Sequence, residues 1–90
     1  MNRSEQVVII TGGNSGIGKA LAIKYGAQGA KIVLTGRNLD RLEEIKSTLS
    51  AMKVEHLALK ADAASEADNQ MLVEKTIEHF GRIDTLICNA

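Results

Sequence analysis

Gln6-Val7-Val8-Ile9-Ile10-Thr11-Gly12-Gly13-Asn14-Ser15-Gly16-Ile17-Gly18 carries a short β-branched run straight into a glycine-rich turn. Val and Ile are stiff at χ1 and pack well on a pleated surface, so Gln6–Ile10 is predicted to be a buried parallel strand. Gly16–Gln28 carries helix formers, with Ile17, Ala20, Leu21 and Ile23 among its apolar positions. A strand that turns through glycines into a helix is suited to anions. The helix N-terminus presents unpaired N–H groups and a partial positive charge, which attract phosphate. Gly12 opens the turn, Gly16 lets a pyrophosphate approach the backbone without meeting a Cβ, and Gly18 lets the helix pack close to the sheet. Asn14 and Ser15 can hydrogen-bond phosphate or ribose, or brace the loop. The spacing is G-x-x-x-G-x-G and not the commoner G-x-G-x-x-G. It is not a P-loop, because Ala20 follows Gly18-Lys19 where Ser or Thr is required.

Outward from this turn, short apolar runs alternate with amphipathic segments. Gly29 stands where a helix C′ residue needs positive φ. Lys31–Thr35 is predicted as the second strand. Leu39, Leu42, Ile45, Leu49 and Met52 recur at steps of three or four, one face of a helix for which Asn38 is the N-cap and Asp40 a first-turn acid. Val54–Leu59 reads as a third strand, and its alternation, with Glu55 and His56 among apolar residues, suits an edge. Ser65-x-x-Asp68 has capping-box form. Leu72, Val73, Thr76, Ile77 and Phe80 make a helical stripe that Gly81 ends, and Asp84–Cys88 is the fourth strand. The order βαβαβαβ with short links gives a parallel sheet with right-handed crossovers, and the doubly wound arrangement orders its strands 3-2-1-4. The fold class is therefore α/β, and residues 1–90 form one partial domain. The sequence ends at Ala90, two residues past the fourth strand, so a truncated domain is expected.

Composition excludes several classes. The chain is 44% hydrophobic and 24% charged, which is not the composition of a disordered segment. Eleven basic residues balance eleven acidic ones, so no global attraction to nucleic acid or anionic membrane exists. No apolar run approaches the length of about 18 residues that a membrane span needs. The single cysteine cannot form an internal disulfide, which is consistent with a cytoplasmic protein. Cys88 lies in an apolar run and is expected to be a small core residue. His56 and His79 have no ligand-spaced partner, so no metal site is expected. Arg82 and Lys53 read as solvated.

Several of these motifs together resemble the short-chain dehydrogenase/reductase family, over nearly the whole chain. Thr11 to Gly18 matches the family's T-G-x-x-x-G-I-G cofactor motif. Asp62-Ala63 matches the acidic position after the third strand, which in the family caps the adenine ring. Gly81-Arg82-Ile83-Asp84, followed by a strand ending Cys88-Asn89-Ala90, resembles the family's N-N-A-G segment, with Cys88 in place of the first Asn. The resemblance implies a Rossmann-type domain. It implies a cofactor site drawn from Thr11, Gly12, Asn14, Ser15, Gly16, Ile17, Gly18, Arg37, Asn38, Asp62, Ala63, Asn89 and Ala90.

The end of the second strand distinguishes the nicotinamides. A carboxylate there accepts bonds from the adenosine ribose hydroxyls and selects NAD(H). Gly36 occupies the place where NAD-type members of the family carry Asp. Arg37 follows, as in NADP-type members, and guanidinium suits phosphate in charge and planar geometry. NADP(H) is the preferred cofactor, with NAD(H) the alternative. Ser15 is not the basic residue that some NADP-type members carry before the second glycine.

The family's catalytic Ser, Tyr and Lys have no counterpart here. Tyr25 is the only Tyr, and Gly29 stands where the paired Lys would be. Hydride transfer between nicotinamide and a carbonyl or alcohol substrate is thus implied for a longer, homo-oligomeric protein. The 90-residue chain is expected to be catalytically inert and to bind cofactor weakly. A non-catalytic nucleotide-binding module and a fragment without independent function are the other readings. A Rossmann protein using a methyl donor is the alternative least favoured by Arg37, Asp62 and Asn89-Ala90.

Overall fold

The computed structural model describes residues 6–12, 16–62 and 64–88. The elements run β1 (Val7–Thr11), α1 (Gly16–Ala27), β2 (Lys31–Gly36), α2 (Leu39–Ala51), β3 (His56–Lys60), α3 (Glu66–Phe80) and β4 (Thr85–Cys88). The four strands form one parallel sheet in the order β3-β2-β1-β4. This is a partial Rossmann fold, with the topology expected from the alternation of runs.

Side-chain alternation divides the core into two layers. Val8, Ile10, Ile32 and Leu34 face α1 and α2, where Ala22, Leu42, Ile45 and Leu49 are buried against them. Val7, Ile9 and Val33 face the other way, onto Leu72 of α3. β1 and β2 are buried on both faces, which is why they read as continuous apolar runs. α1 approaches the sheet on a face of small residues, Gly18, Ala22 and Gly26, spaced four apart. A Cβ added at Gly26 would stand 3.0 Å from a methyl of Val54, so this approach depends on the missing side chain. Ile17, by contrast, is exposed. Of the apolar positions noted in the α1 sequence, Leu21 packs against the core, whereas Ile17 and Ala20 are exposed, and the fully buried residues are the small ones.

The local stops and starts follow backbone chemistry. Asn38 caps α2, its side-chain oxygen accepting the Arg41 N–H at 3.1 Å. Gly81 ends α3 in the left-handed region at φ +81°. Ser65 caps α3 by accepting the Asp68 N–H at 3.2 Å. The reciprocal half of the expected capping box is replaced. The shorter Asp68 carboxylate takes the Asp62 N–H at 2.8 Å, and the Ser65 N–H goes to the Asp62 carbonyl.

Three expectations are corrected. Cys88 is exposed, not a core residue. Val73 and Ile77 belong to the apolar stripe of α3 but are 47% and 45% exposed. The exposure of Cys88 follows from the place of its strand. Among the described residues β4 pairs only with β1, and nothing covers its α3-side face, where Leu86 is 57% exposed. Finally, Arg82 is not merely solvated. Its guanidinium donates through Nε and Nη2 to both oxygens of Asp84. Asp84 in turn accepts the Val7 N–H at 2.7 Å and donates its own N–H to the Val7 carbonyl at 3.0 Å. Arg82 first, and the Val7 N–H second, hold the Asp84 carboxyl below the ordinary carboxylate range. The pair ties the start of β4 to the start of β1, one residue ahead of their ladder.

Candidate functional site

The carboxyl ends of the strands lie side by side. Register pairs Thr11 with Cys88, Ile10 with Leu34, and Gly36 with Lys60. With neighbouring strands about 4.8 Å apart, the ends of β1, β2 and β3 make a row about 10 Å across. In an open α/β sheet this edge is where ligands bind, because loops and helix N-termini converge on it.

At the β1 end, Thr11 is buried and its hydroxyl lies 3.4 Å from the Ile87 carbonyl of β4. Its side chain thus bridges two strands. Gly12 follows at φ +67°, a left-handed conformation that favours glycine. α1 begins at Gly16, and its first turn carries no acid that would repel an anion. A Cβ built on Gly16 meets no atom within 4 Å, so the space beside the helix start is open. Gly18 is buried within the first turn, and Ile17 is exposed. The chemistry available here is a helix N-terminus with an unobstructed approach.

At the β2 and β3 ends, Arg37, Lys60, Ala61, Asp62 and Asp68 line an open hollow of about 540 Å³. Arg37 is exposed directly after β2. Asn38 beside it uses its side-chain oxygen as the α2 cap. The Asp62 Oδ1 accepts the Ala64 N–H at 2.9 Å. Lys60 was not singled out by the sequence. Its place follows only from register, which sets it opposite Gly36. Asn14, Ser15, Ala63, Asn89 and Ala90 lie outside the described residues. Among the described residues, no three His, Cys, Asp or Glu side chains gather as a metal site would require, and no helix is long and apolar enough to cross a membrane.

A glycine turn into an open helix start, with Arg37 and Lys60 in the hollow at the ends of β2 and β3, is one arrangement of a site for an anionic dinucleotide. The family model for short chain dehydrogenases matches residues 6–90. The chain belongs to the short-chain dehydrogenase family. An uncharacterized oxidoreductase of Listeria monocytogenes is 42% identical over the whole of this chain, which covers 36% of that protein. A crystal structure of a short chain dehydrogenase from Bacillus anthracis superposes with TM-score 0.91 at 43% identity, covering 98% of this chain and 35% of that one. A metagenomic short-chain oxidoreductase solved in complex with NADP superposes with TM-score 0.92 at 31% identity, over all of this chain and 41% of that one. The chain thus spans about a third of the length of these short-chain dehydrogenase relatives.

Proposed function

We propose that this chain is the NADP(H)-binding portion of a short-chain dehydrogenase that moves hydride between nicotinamide and a carbonyl or alcohol substrate. The observation that carries the reading is the row at the carboxyl edge: Gly12 in the left-handed region, the open start of α1, and Arg37 at the end of β2. In this reading the backbone of the Gly12–Gly18 turn and the start of α1 hold the pyrophosphate, with Asn14 and Ser15 adding side-chain bonds. Arg37 meets the ribose 2′-phosphate and Asn38 borders it. Asp62 and Ala63 border the adenine, and Thr11, Asn89 and Ala90 keep the sheet closed beside the cofactor. Bound NADP(H) would supply the hydride. The protein's share is to place it.

Gly36 favours the phosphorylated cofactor by what it lacks. No carboxylate stands at the end of β2 to take the ribose hydroxyls or repel a 2′-phosphate. The relative solved with NADP supports the same choice. With Tyr25 packed against the core and no lysine four residues after it, the chain binds and does not turn over. Its exposed, unpaired thiol suits a reducing compartment such as the cytoplasm.

A melting curve tests the reading. A ligand that binds only the folded chain raises its stability by about 1.4 kcal/mol at ten times its Kd. For a chain of this size that moves the midpoint by about 5–10 °C. At millimolar nucleotide, NADPH is expected to raise the midpoint more than NADH does. A larger shift with NADH, or none with either, overturns the proposal.

A further inference from the structure

Lys60 is the charge in the hollow that no motif accounts for, and it makes no ion pair with any described residue. Arg37 and Lys60 line one side with Asp62 and Asp68, a formal balance of two against two. Each carboxylate accepts a backbone N–H on one oxygen and makes no ion pair with either cation. Asp62 Oδ1 accepts the Ala64 N–H, and Asp68 Oδ2 accepts the Asp62 N–H. Neither Arg37 nor Lys60 forms an ion pair with any described residue, whereas Lys19, Lys31 and Arg82 each have one. Two cations at the ends of adjacent strands, neither in ion-pair contact, suit a dianion. A phosphate monoester near neutral pH carries nearly two charges and three acceptor oxygens.

Register makes the match specific. Lys60 pairs with Gly36, the residue before Arg37. Alternation places both on the face of the sheet shared with Leu34 and Ala58. A side chain at position 36 would therefore be the cross-strand neighbour of Lys60, within pairing distance. Glycine leaves Lys60 unpaired, and a carboxylate would neutralise it.

We propose that Lys60 is a second determinant of cofactor choice, sharing the ribose 2′-phosphate with Arg37, and that the residue at position 36 sets whether Lys60 is available. The inference rests on the NADP(H) reading above and adds to it a residue and a coupling. An exposed lysine keeps much of its hydration, so its share is smaller than that of a planar guanidinium.

The test is a titration of the 90-residue chain with adenosine 2′,5′-bisphosphate and, as comparator, adenosine 5′-monophosphate, followed by chemical shifts so that millimolar affinities are measurable. Lys60 is exposed, so Lys60→Gln leaves the fold intact, which the same spectra verify. Lys60→Gln is expected to weaken the bisphosphate about fivefold with the monophosphate unchanged, and Lys60→Arg to restore it. In a Gly36→Asp background, Lys60→Gln is expected to have less than a twofold further effect. If the original chain prefers the bisphosphate and Lys60→Gln leaves that preference intact, the role of Lys60 is refuted while the NADP(H) reading stands. If Lys60→Gln weakens the bisphosphate equally in both backgrounds, the coupling to position 36 is refuted. If the original chain does not distinguish the two nucleotides, the NADP(H) reading fails and takes the role of Lys60 with it.

Discussion

Arg37→Ala is expected to weaken NADPH binding about ten- to a hundredfold while changing NADH binding less than twofold. A hydrogen bond to a charged group contributes about 1.5–3 kcal/mol, and each 1.4 kcal/mol is a factor of ten in affinity. The planar guanidinium can bind phosphate oxygens in pairs, which lysine cannot. Arg37 is exposed and follows the last residue of β2, so its truncation removes no core packing. The loss should therefore fall on affinity alone, with an unchanged melting midpoint in the absence of nucleotide. Isothermal titration or nucleotide-dependent melting of the variant measures it. Equal weakening of both nucleotides would mean that Arg37 steadies the loop and does not read the phosphate.

Leu34→Ala acts on the fold itself. Leu34 is fully buried in β2, beneath α1 and α2. Removing a buried leucine side chain to Ala costs about 2–5 kcal/mol, the transfer term plus the cavity left behind. A chain of 90 residues holds about 5–13 kcal/mol in all, and a small domain sits toward the low end. The variant should lose about 10–30 °C of melting midpoint. Urea unfolding checks this as a lower midpoint concentration at unchanged slope. Leu86→Ala is the control: at 57% exposure on β4 it should stay within about 0.5 kcal/mol of the original chain. Comparable losses at both positions would mean that β4 is covered in solution.

The two-layer sheet was legible because Val7–Ile10 and Ile32–Leu34 are apolar on both faces, a pattern that only a covered parallel strand tolerates. Asn38, Ser65, Gly29 and Gly81 were legible as punctuation, since each answers a local backbone need. Strand ends were less so. β3 begins at His56 and not Val54, because Val54 turns from the sheet to pack beside Gly26 and its N–H bonds the Leu49 carbonyl. On α1 the close packing of Gly18 was legible from the glycine motif, but Ala22 and Gly26 complete that small face without the apolar bulk that makes an amphipathic stripe visible. Exposure of Cys88, Val73 and Ile77 could not be read at all. Their pattern is that of buried residues, and burial depends on what lies across the strand or helix.

At the site, the glycine turn and Arg37 stood out because their chemistry is local to the sequence. Lys60 did not, because it gains meaning only through cross-strand pairing with a glycine. The Arg82–Asp84–Val7 clamp was hidden for the same reason: its acceptor and donor are 77 residues apart.

Whether the open start of α1 receives the cofactor phosphates is decided by Gly16→Ala. Gly16 has no positive φ, and an added Cβ meets no atom within 4 Å. Alanine should therefore fold as well as glycine, with a midpoint unchanged or slightly higher, since Ala exceeds Gly in helix propensity by up to about 1 kcal/mol. The same methyl would stand where the pyrophosphate approaches the backbone. At least a tenfold loss of NADPH affinity is expected, with full thermal stability. Undiminished NADPH binding by a folded Gly16→Ala chain would contradict it.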